Sequence, residues 1–274
     1  MQGIKISNKE YREREGISST ELKKLMKSPM HYKYWKDNPE ENDTPSLLLG
    51  RAAHKYVLET YDFYNEFVVA PNCDRRTKEG KAQWLLFRDQ SEGKDIITQE
   101  QFEQIEEMRK VMLATPFVSK LINGEHEVSY FWVDEDTGLE CKVRPDSINH
   151  KLKVIVDYKT ADNAETQHFM RKAIDLGYDL QSYMYQQGVK ANLGEEYIFV
   201  FIVQEKKPPY AVNILEADEN FMASGKRIFI EMLNLYKQCS ETDNWFGYLG
   251  ERSQINSLGV PKWIENMLGE ESEE

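Results

Sequence analysis

The pattern of apolar and polar positions changes near residue 116, where helical spacing gives way to alternation. In the first part of the chain, apolar residues recur every three or four positions behind capping residues such as Ser18 and Thr98. A short strand is expected over 68–71, and the charged, weakly periodic stretch 72–93 is expected to be a loop. The pattern predicts helices over 18–27, 28–35, 47–60 and 98–114.

Strand signals dominate the next part of the chain. Alternating residues over 127–133 and 139–148, separated by turn residues, predict a hairpin. A second turn leads into an apolar run over 152–159, so three consecutive strands are expected to form an antiparallel meander. Residues 154–156 leave no polar face, which predicts a central strand buried on both sides.

The remainder of the chain returns to mixed elements. Helices are predicted over 164–176, 179–192 and 218–238, and strands over 197–203 and 209–215. Beyond residue 244 the pattern is irregular, with one helical turn expected near Trp263. The order of elements predicts a single mixed α/β domain over 1–268, with a mixed central β-sheet flanked by helices. Residues 269–274 are expected to form an acidic, disordered tail.

Charge is unevenly distributed along the 274 residues. The net charge is −12, yet residues 1–36 carry nine Lys and Arg against four Glu, a local excess of +5. Residues 213–274 carry five basic against twelve acidic residues, a local −7. The N-terminal part is therefore suited to face phosphate groups although the total charge is negative. The alternative for the acidic end is a surface that only maintains solubility.

Cysteine usage and hydropathy suggest where the protein resides. Cys73, Cys141 and Cys239 are far apart and show neither zinc-ligand spacing nor a disulfide framework. No apolar run approaches the roughly 18 residues of a membrane span, and residues 1–10 lack the apolar stretch of a secretion signal. We therefore expect a cytoplasmic protein without membrane contact.

Candidate chemistry is concentrated where the predicted buried strand ends. Asp157 and Lys159 are two positions apart, so on a strand their side chains leave the same face. The chain has five other acid-x-Lys triplets, but only this one follows a long apolar strand, where an unpaired carboxylate is costly. Such a pair can assist a cation-dependent reaction, or it can be a salt bridge at the end of a strand.

Two further carboxylates lie near the same predicted strands. Asp146 follows Pro145 at the end of the preceding predicted strand, and Glu127 opens the first strand of the meander. If acids on neighbouring strands meet, they repel each other unless a cation lies between them. The sequence does not fix the register that decides this. The alternatives are a turn-forming Asp and an exposed Glu at the start of a strand.

Other candidate residues share a four-residue helical spacing. His54 follows Gly50 on one face of a predicted helix, where a packed core histidine is the simpler alternative. Gln181 and Tyr185 have the same spacing on a later helix, where they can equally be a surface amide and a core aromatic residue.

A basic cluster falls in the predicted loop over 72–93. These residues are candidates for binding a DNA end, and the alternative is that they form a solvated charged loop. Its members are Arg75, Arg76, Lys78 and Lys81.

Together these motifs resemble those of the PD-(D/E)XK nucleases of the RecB and lambda-exonuclease branch. The resemblance is greatest to the RecE-type exonucleases of phages and prophages (the exonuclease VIII C-terminal domain). The motifs in chain order are Gly50-x-x-x-His54, Glu127, Pro145-Asp146, Asp157-x-Lys159 and Gln181-x-x-x-Tyr185. Further similar stretches extend from Gly16-Ile17-Ser18 to Leu258, Pro261 and Trp263, so the likeness covers nearly the whole chain.

The resemblance implies a role for each motif residue. Lys159 would position the attacking water, and Gln181 and Tyr185 would hold the DNA strand or the Lys159 side chain. Two divalent cations would catalyse phosphodiester hydrolysis at a shared site. Their implied ligands are His54, Glu127, Asp146, Asp157 and the Tyr158 carbonyl.

The resemblance also implies a biological activity. It is the 5′-to-3′ digestion of double-stranded DNA ends, leaving a 3′ single strand for a RecT-type annealing protein, by a ring-shaped homotetramer. Because the chain has no cysteine pairs or histidine clusters, Mg²⁺ is expected rather than zinc, with Mn²⁺ as a substitute. The alternatives are a structure-specific endonuclease on the same fold and a catalytically silent nucleic-acid-binding module.

Overall fold

A computed structural model of the chain describes residues 3–39, 44–250, 255, 257–262 and 264. Its α-helices are α1 Asn8–Glu13, α2 Ser19–Lys27, α3 Pro29–Asp37, α4 Pro45–Leu58, α5 Phe63–Glu66, α6 Lys78–Gln90, α7 Gln99–Ala114, α8 Val118–Leu121, α9 Thr166–Asp175, α10 Tyr178–Leu193 and α11 Glu219–Thr242. Its strands are β1 Phe67–Val69, β2 Asp95–Ile97, β3 Glu125–His126, β4 Tyr130–Val133, β5 Glu140–Val143, β6 Ser147–Asn149, β7 Val154–Ala161, β8 Ile198–Glu205 and β9 Val212–Glu216.

Local capping explains why the predicted helices begin where they do. The Ser18 hydroxyl accepts the Glu21 backbone N–H, and the Glu21 carboxylate accepts the Ser18 N–H, which completes a capping box before α2. Ser28 caps α3, whose first residue is Pro29. Thr98 and Gln101 form a second capping box before α7. These predicted starts are confirmed.

A five-stranded mixed sheet organises the molecule, in the order β3-β6-β7-β8-β9. Strand β7 runs antiparallel to β6 and parallel to β8, and residues 154–156 are buried as predicted. One face packs against α2, α9, α10 and α11, and the other packs against α4 and α7. The predicted α/β fold with helices on both faces of a mixed sheet is confirmed.

The predicted three-stranded meander is wrong. Residues 139–148 form two strands: β5 pairs with β4 in a separate two-stranded sheet, while β6 joins the central sheet. Pro145 lies at the break and has no N–H to donate to a ladder. Asp146 therefore precedes β6 instead of ending a strand. Glu127 lies between β3 and β4 with a left-handed backbone (φ 56°) and does not open a strand.

The charged stretch 72–93 is largely helical, which corrects the predicted loop. Thr77 caps α6 by accepting the Gly80 N–H, so Lys78 and Lys81 lie on a helix. The sequence hid this helix because its apolar residues do not form a buried stripe: Leu85 and Leu86 are 70% and 59% exposed. Helix α1 was missed for a related reason, since none of its residues is buried.

In the part of the chain that the structure describes, no helix combines the length and the apolar character needed to cross a bilayer. The helical turn predicted near Trp263 and the acidic tail 269–274 involve residues outside the described ones. Leu258 and Pro261 are described and are exposed.

Candidate metal centre and active-site cleft

Helix α4 brings His54 to the end of the central strand. A Cβ at Gly50 would lie 3.3 Å from Thr160 Oγ1 on β7, so glycine permits a close approach of helix and strand at this point. His54 lies one turn further along α4, on the same face. The four-residue spacing of Gly50 and His54 therefore has a structural basis: glycine allows α4 to approach β7, and His54 then lies beside Asp146 and Glu127.

Three predicted ligands converge at this position. His54 Nε2 lies 2.8 Å from Asp146 Oδ2, and His54 Nδ1 lies 3.9 Å from Glu127 Oε1. One ligand atom from each of the three side chains lies within 4.8 Å of the others, which is suitable for a shared cation. Burial would lower the pKa of His54, but Asp146 and then Glu127 outweigh it and raise the pKa to about 9.

The register that the sequence could not fix brings Asp146 beside Asp157. Ser147 on β6 pairs with Val156 on β7 in an antiparallel register, so Asp146, just before β6, lies beside Asp157 on β7. Asp146 Oδ2 accepts the backbone N–H of Tyr158 at 2.7 Å. Burial would raise the pKa of Asp146, but the charge of His54 and its hydrogen bond lower it below the usual value.

Asp157 is the most deeply buried acid of the group, with a side chain that is 1% exposed. Its Oδ1 accepts the Gln181 Nε2–H at 2.7 Å, and its Oδ2 lies 2.5 Å from Lys159 Nζ. Burial raises the pKa of Asp157, Lys159 opposes that effect, and Asp146 adds to it. The pKa of Lys159 is held above its usual value, because Asp157 and Asp146 outweigh the effect of burial.

The donor set of the site fits a hard divalent cation. Asp157 Oδ2 is buried and lies 2.5 Å from the Lys159 ammonium, which leaves a second lone pair of this oxygen for a cation. Carboxylate oxygens with one imidazole match Mg²⁺ or Mn²⁺ better than a thiolate-binding metal. Asp157 stands outside the group formed by His54, Glu127 and Asp146.

Arg144 and Tyr11 are site residues to which sequence reasoning gave no role. Arg144 Nε lies 2.7 Å from Glu127 Oε2, and the guanidinium lies 5.7 Å from the Tyr11 ring centroid. Burial and the neighbouring Asp146 raise the pKa of Glu127 to about 7, although His54 and Arg144 oppose them. The available signal was that Arg144 directly precedes Pro145-Asp146.

The resemblance implied that Gln181 and Tyr185 would hold the DNA strand or the Lys159 side chain. In the structure both residues make contacts with other side chains. Gln181 contacts Asp157 directly, whereas Lys159 is paired with Asp157 and lies 4.8 Å from the Tyr178 ring centroid. Tyr185 packs against Phe199, and burial raises its pKa well above the usual value. The Tyr158 ring packs beside His54, and its hydroxyl donates to Gln204.

A cleft of about 750 Å³ opens over these groups. Helix α1 and the residues before it form one wall, α4 forms another, and His54, Glu127 and Lys159 lie on the floor. The basic side chains that line the cleft are Lys5, Arg51, Lys55, Arg144, Lys159 and Lys206. The predicted DNA-contact residues do not line it; Arg75 stacks 3.5 Å from the Trp84 ring centroid and Arg76 pairs with Asp74.

The metal-free protein should lose stability as the pH rises from about 6.5 to 9. His54 has a pKa of about 9 in the folded chain against 6.5 unfolded, so its contribution is complete below pH 6.5 and is lost as the pH passes 9. A shift of this size is worth at most about 3 kcal/mol of unfolding free energy. The pKa of Glu127 is raised from 4.5 to about 7, so this group also lowers the free energy of unfolding as the pH rises from 4.5 to 7.

Urea unfolding in the presence of a chelator, measured at several pH values, tests this dependence. His54→Gln should flatten the upper part of the profile. Equal stability of the unmodified chain at pH 6.5 and 9 would contradict the ion pair between His54 and Asp146.

Comparisons with known proteins bear on the family and the fold. The family model described as "PDDEXK-like domain of unknown function (DUF3799)" matches residues 18–256. The crystal structure of a protein described as a putative exonuclease from Eubacterium rectale superposes with a TM-score of 0.62 at 16% identity, covering 96% of this chain and 98% of that chain. At that identity the likeness shows the fold alone.

The remaining comparisons add little. The crystal structure of SSO0001 aligns with a TM-score of 0.31 at 13% identity over 72% of this chain and 88% of that chain. No curated protein matches the sequence. The family match confirms the predicted PD-(D/E)XK type and supports a nuclease, without pointing to the RecE-type branch in particular.

Proposed function

We propose that this chain, which belongs to the DUF3799 family of PDDEXK-like domains, is a divalent-cation-dependent nuclease whose active centre is the floor of the cleft. One observation carries the proposal: His54, Glu127 and Asp146 converge within 4.8 Å, next to an aspartate that is paired with a lysine. A purely structural ion pair explains Asp157 and Lys159 but gives no reason for three more ionisable side chains to meet beside them.

Each residue of the centre has a distinct role in this proposal. Asp146, Asp157, Glu127, His54 and the Tyr158 carbonyl would hold the cations, two at each site. When bound, divalent cations stabilise charge on the phosphate and favour deprotonation of water near neutral pH.

Two basic residues, Lys159 and Arg144, would assist the reaction with their positive charge. Lys159 keeps its proton and so presents a positive charge and N–H donors to the scissile phosphate or the attacking water. Arg144 neutralises part of the acidic charge around Glu127, and the two together limit repulsion of the DNA phosphates.

Mg²⁺ is the proposed physiological cation, with Mn²⁺ as a working substitute. The candidate ligands are mainly carboxylate oxygens, and the three cysteines are not among them. Zinc sites usually draw on cysteine or several histidines, whereas oxygen-rich sites favour Mg²⁺, Ca²⁺ or Mn²⁺.

The finer proposal is a 5′-to-3′ exonuclease that acts on double-stranded DNA ends and leaves 3′ single strands. The order of motifs along the chain supports the RecE-type branch, for which a homotetrameric ring and a RecT-type annealing protein are the proposed assembly and partner.

A linear duplex labelled separately at each 5′ and 3′ end tests this activity. With Mg²⁺ we expect nucleotides to be released from the 5′-labelled ends first and the 3′-labelled strands to survive as single strands. Covalently closed circular duplex, the matched control, should stay intact.

Each other outcome has a defined meaning. Nicking of the closed circle would favour an endonuclease, and early loss of the 3′ label would contradict the proposed polarity. No cleavage of any DNA with Mg²⁺ or Mn²⁺ would contradict the nuclease itself.

A further inference from the structure

Lys23 lies at the active centre although it belongs to helix α2, far from the motif residues in sequence. Its Nζ donates to Gln181 Oε1 at 2.7 Å, and it lies 4.8 Å from the Tyr178 ring centroid. Lys159 lies at the same distance from the centroid of that ring. The Lys23 amine therefore donates to a neutral amide, although it is half-buried beside the ionised groups of the active centre.

We propose that Lys23 is a positioning residue that anchors the Gln181 amide, so that this amide holds the Asp157 carboxylate beside Lys159. The inference deepens the proposed function and rests on it for its effect on turnover. It assigns an active-site role to a helix near the N-terminus.

The hydrogen-bond chemistry of the three groups allows only one arrangement. An ionised carboxylate is an acceptor only, so the Gln181 nitrogen has to face Asp157, and its oxygen is left to accept from the Lys23 amine. Gln181 must therefore turn its oxygen to Lys23 and its nitrogen to Asp157, as observed at 2.7 Å for both contacts. Without Lys23, the long glutamine side chain would be held at one end only and would regain rotamer freedom.

A glycine at the start of α10 leaves space for the Lys23 side chain. Gly177, the residue before α10, has a left-handed conformation (φ 63°). A Cβ there would lie 3.2 Å from Lys23 Cγ, so the absence of a side chain leaves room for the lysine stem. The stem passes over the start of α10, and the amine then reaches Gln181 on the same helix.

The surroundings of Lys23 also affect its charge. Burial and then the charge of Lys159 lower the pKa of Lys23 to about 7, against the opposing effects of Asp157 and Asp179. The contact with Gln181 does not depend on that charge, because a neutral amine still has N–H groups to donate. Lys23 can therefore anchor the amide without adding a full second positive charge beside Lys159.

The first test is steady-state cleavage of linear duplex by Lys23→Met, Lys23→Arg and the matched control Lys27→Met, which replaces an exposed lysine of the same helix. We expect Lys23→Met to lower kcat by about 10- to 100-fold, as for other groups that orient a ligand, with little change in KM for DNA. Lys23→Arg should recover much of the loss, and Lys27→Met should match the unmodified chain. A raised KM with unchanged kcat would overturn the inference, because Lys23 would then bind DNA itself.

Two further measurements separate a positioning role from general destabilisation. Lys23→Met combined with Gln181→Met should be no slower than Gln181→Met alone, since both act through the same amide. In NMR spectra, the Gln181 side-chain amide signals, identified by their absence in Gln181→Met, should shift toward the free-amide position in Lys23→Met. Independent kinetic effects or unshifted amide signals would overturn the inference.

The failure of this inference can be told apart from failure of the nuclease proposal. If Asp157→Asn is inactive while Lys23→Met turns over normally, the nuclease stands and Lys23 has no positioning role. If the unmodified chain cleaves no DNA, the nuclease proposal fails, and the NMR comparison alone decides whether Lys23 anchors Gln181.

Discussion

Replacing Asp157 with asparagine should reduce nuclease turnover by about 10³-fold or more while the chain remains folded, a loss of about 4 kcal/mol of transition-state stabilisation. Asparagine keeps the shape of the side chain and still offers an oxygen to the Gln181 amide, so the packing around α10 is retained. It removes the negative charge that faces Lys159 and would bind a cation.

The assay for Asp157→Asn is nucleotide release from linear duplex in Mg²⁺, with folding checked by circular dichroism. Asp136→Asn is the matched control, because Asp136 is an exposed acid in the turn between β4 and β5. We expect the control to match the unmodified chain. Turnover of Asp157→Asn within about tenfold of the unmodified chain would remove Asp157 from the active centre.

Lys159→Met should reduce turnover by a factor similar to that of Asp157→Asn. It should also increase the stabilisation that the protein gains from divalent cations. Methionine keeps the length of the stem but leaves the buried Asp157 without its counter-ion. Breaking one partner of a buried ion pair typically costs about 3–5 kcal/mol. A divalent cation at the site would supply the missing positive charge, so metal should restore more stability to this variant than to the unmodified chain.

Thermal unfolding with a chelator and with Mn²⁺, measured beside the cleavage assay, tests both parts of this expectation. Lys151→Met is the control, since Lys151 is exposed at the turn between β6 and β7. Two results would contradict the assigned role: full turnover in Lys159→Met, or a Mn²⁺ stabilisation no larger than in the unmodified chain.

Local features of the fold were predictable from the sequence, whereas long-range ones were not. The starts of α2, α3 and α7 follow from side chains within three residues of each cap. The division of the expected meander into two sheets depends on which partner each short strand finds, and short-range patterns do not encode that choice.

The same contrast between local and long-range features holds for the candidate site. Asp157 and Lys159 could be placed on one face of a strand because the strand period is short. The contact of Asp146 with the Tyr158 N–H depends on the register between β6 and β7, which sequence alone left open. Lys23 was not predicted because its partner is 158 positions away in the chain.

The location of bound cations is the most direct test of the central claim. We would soak crystals of the unmodified chain in Mn²⁺ and calculate an anomalous difference map. The account predicts a peak among His54, Glu127 and Asp146, close enough to Asp157 for a carboxylate oxygen to bind the ion. A fully occupied Mn²⁺ peak elsewhere, with none at these side chains, would contradict it.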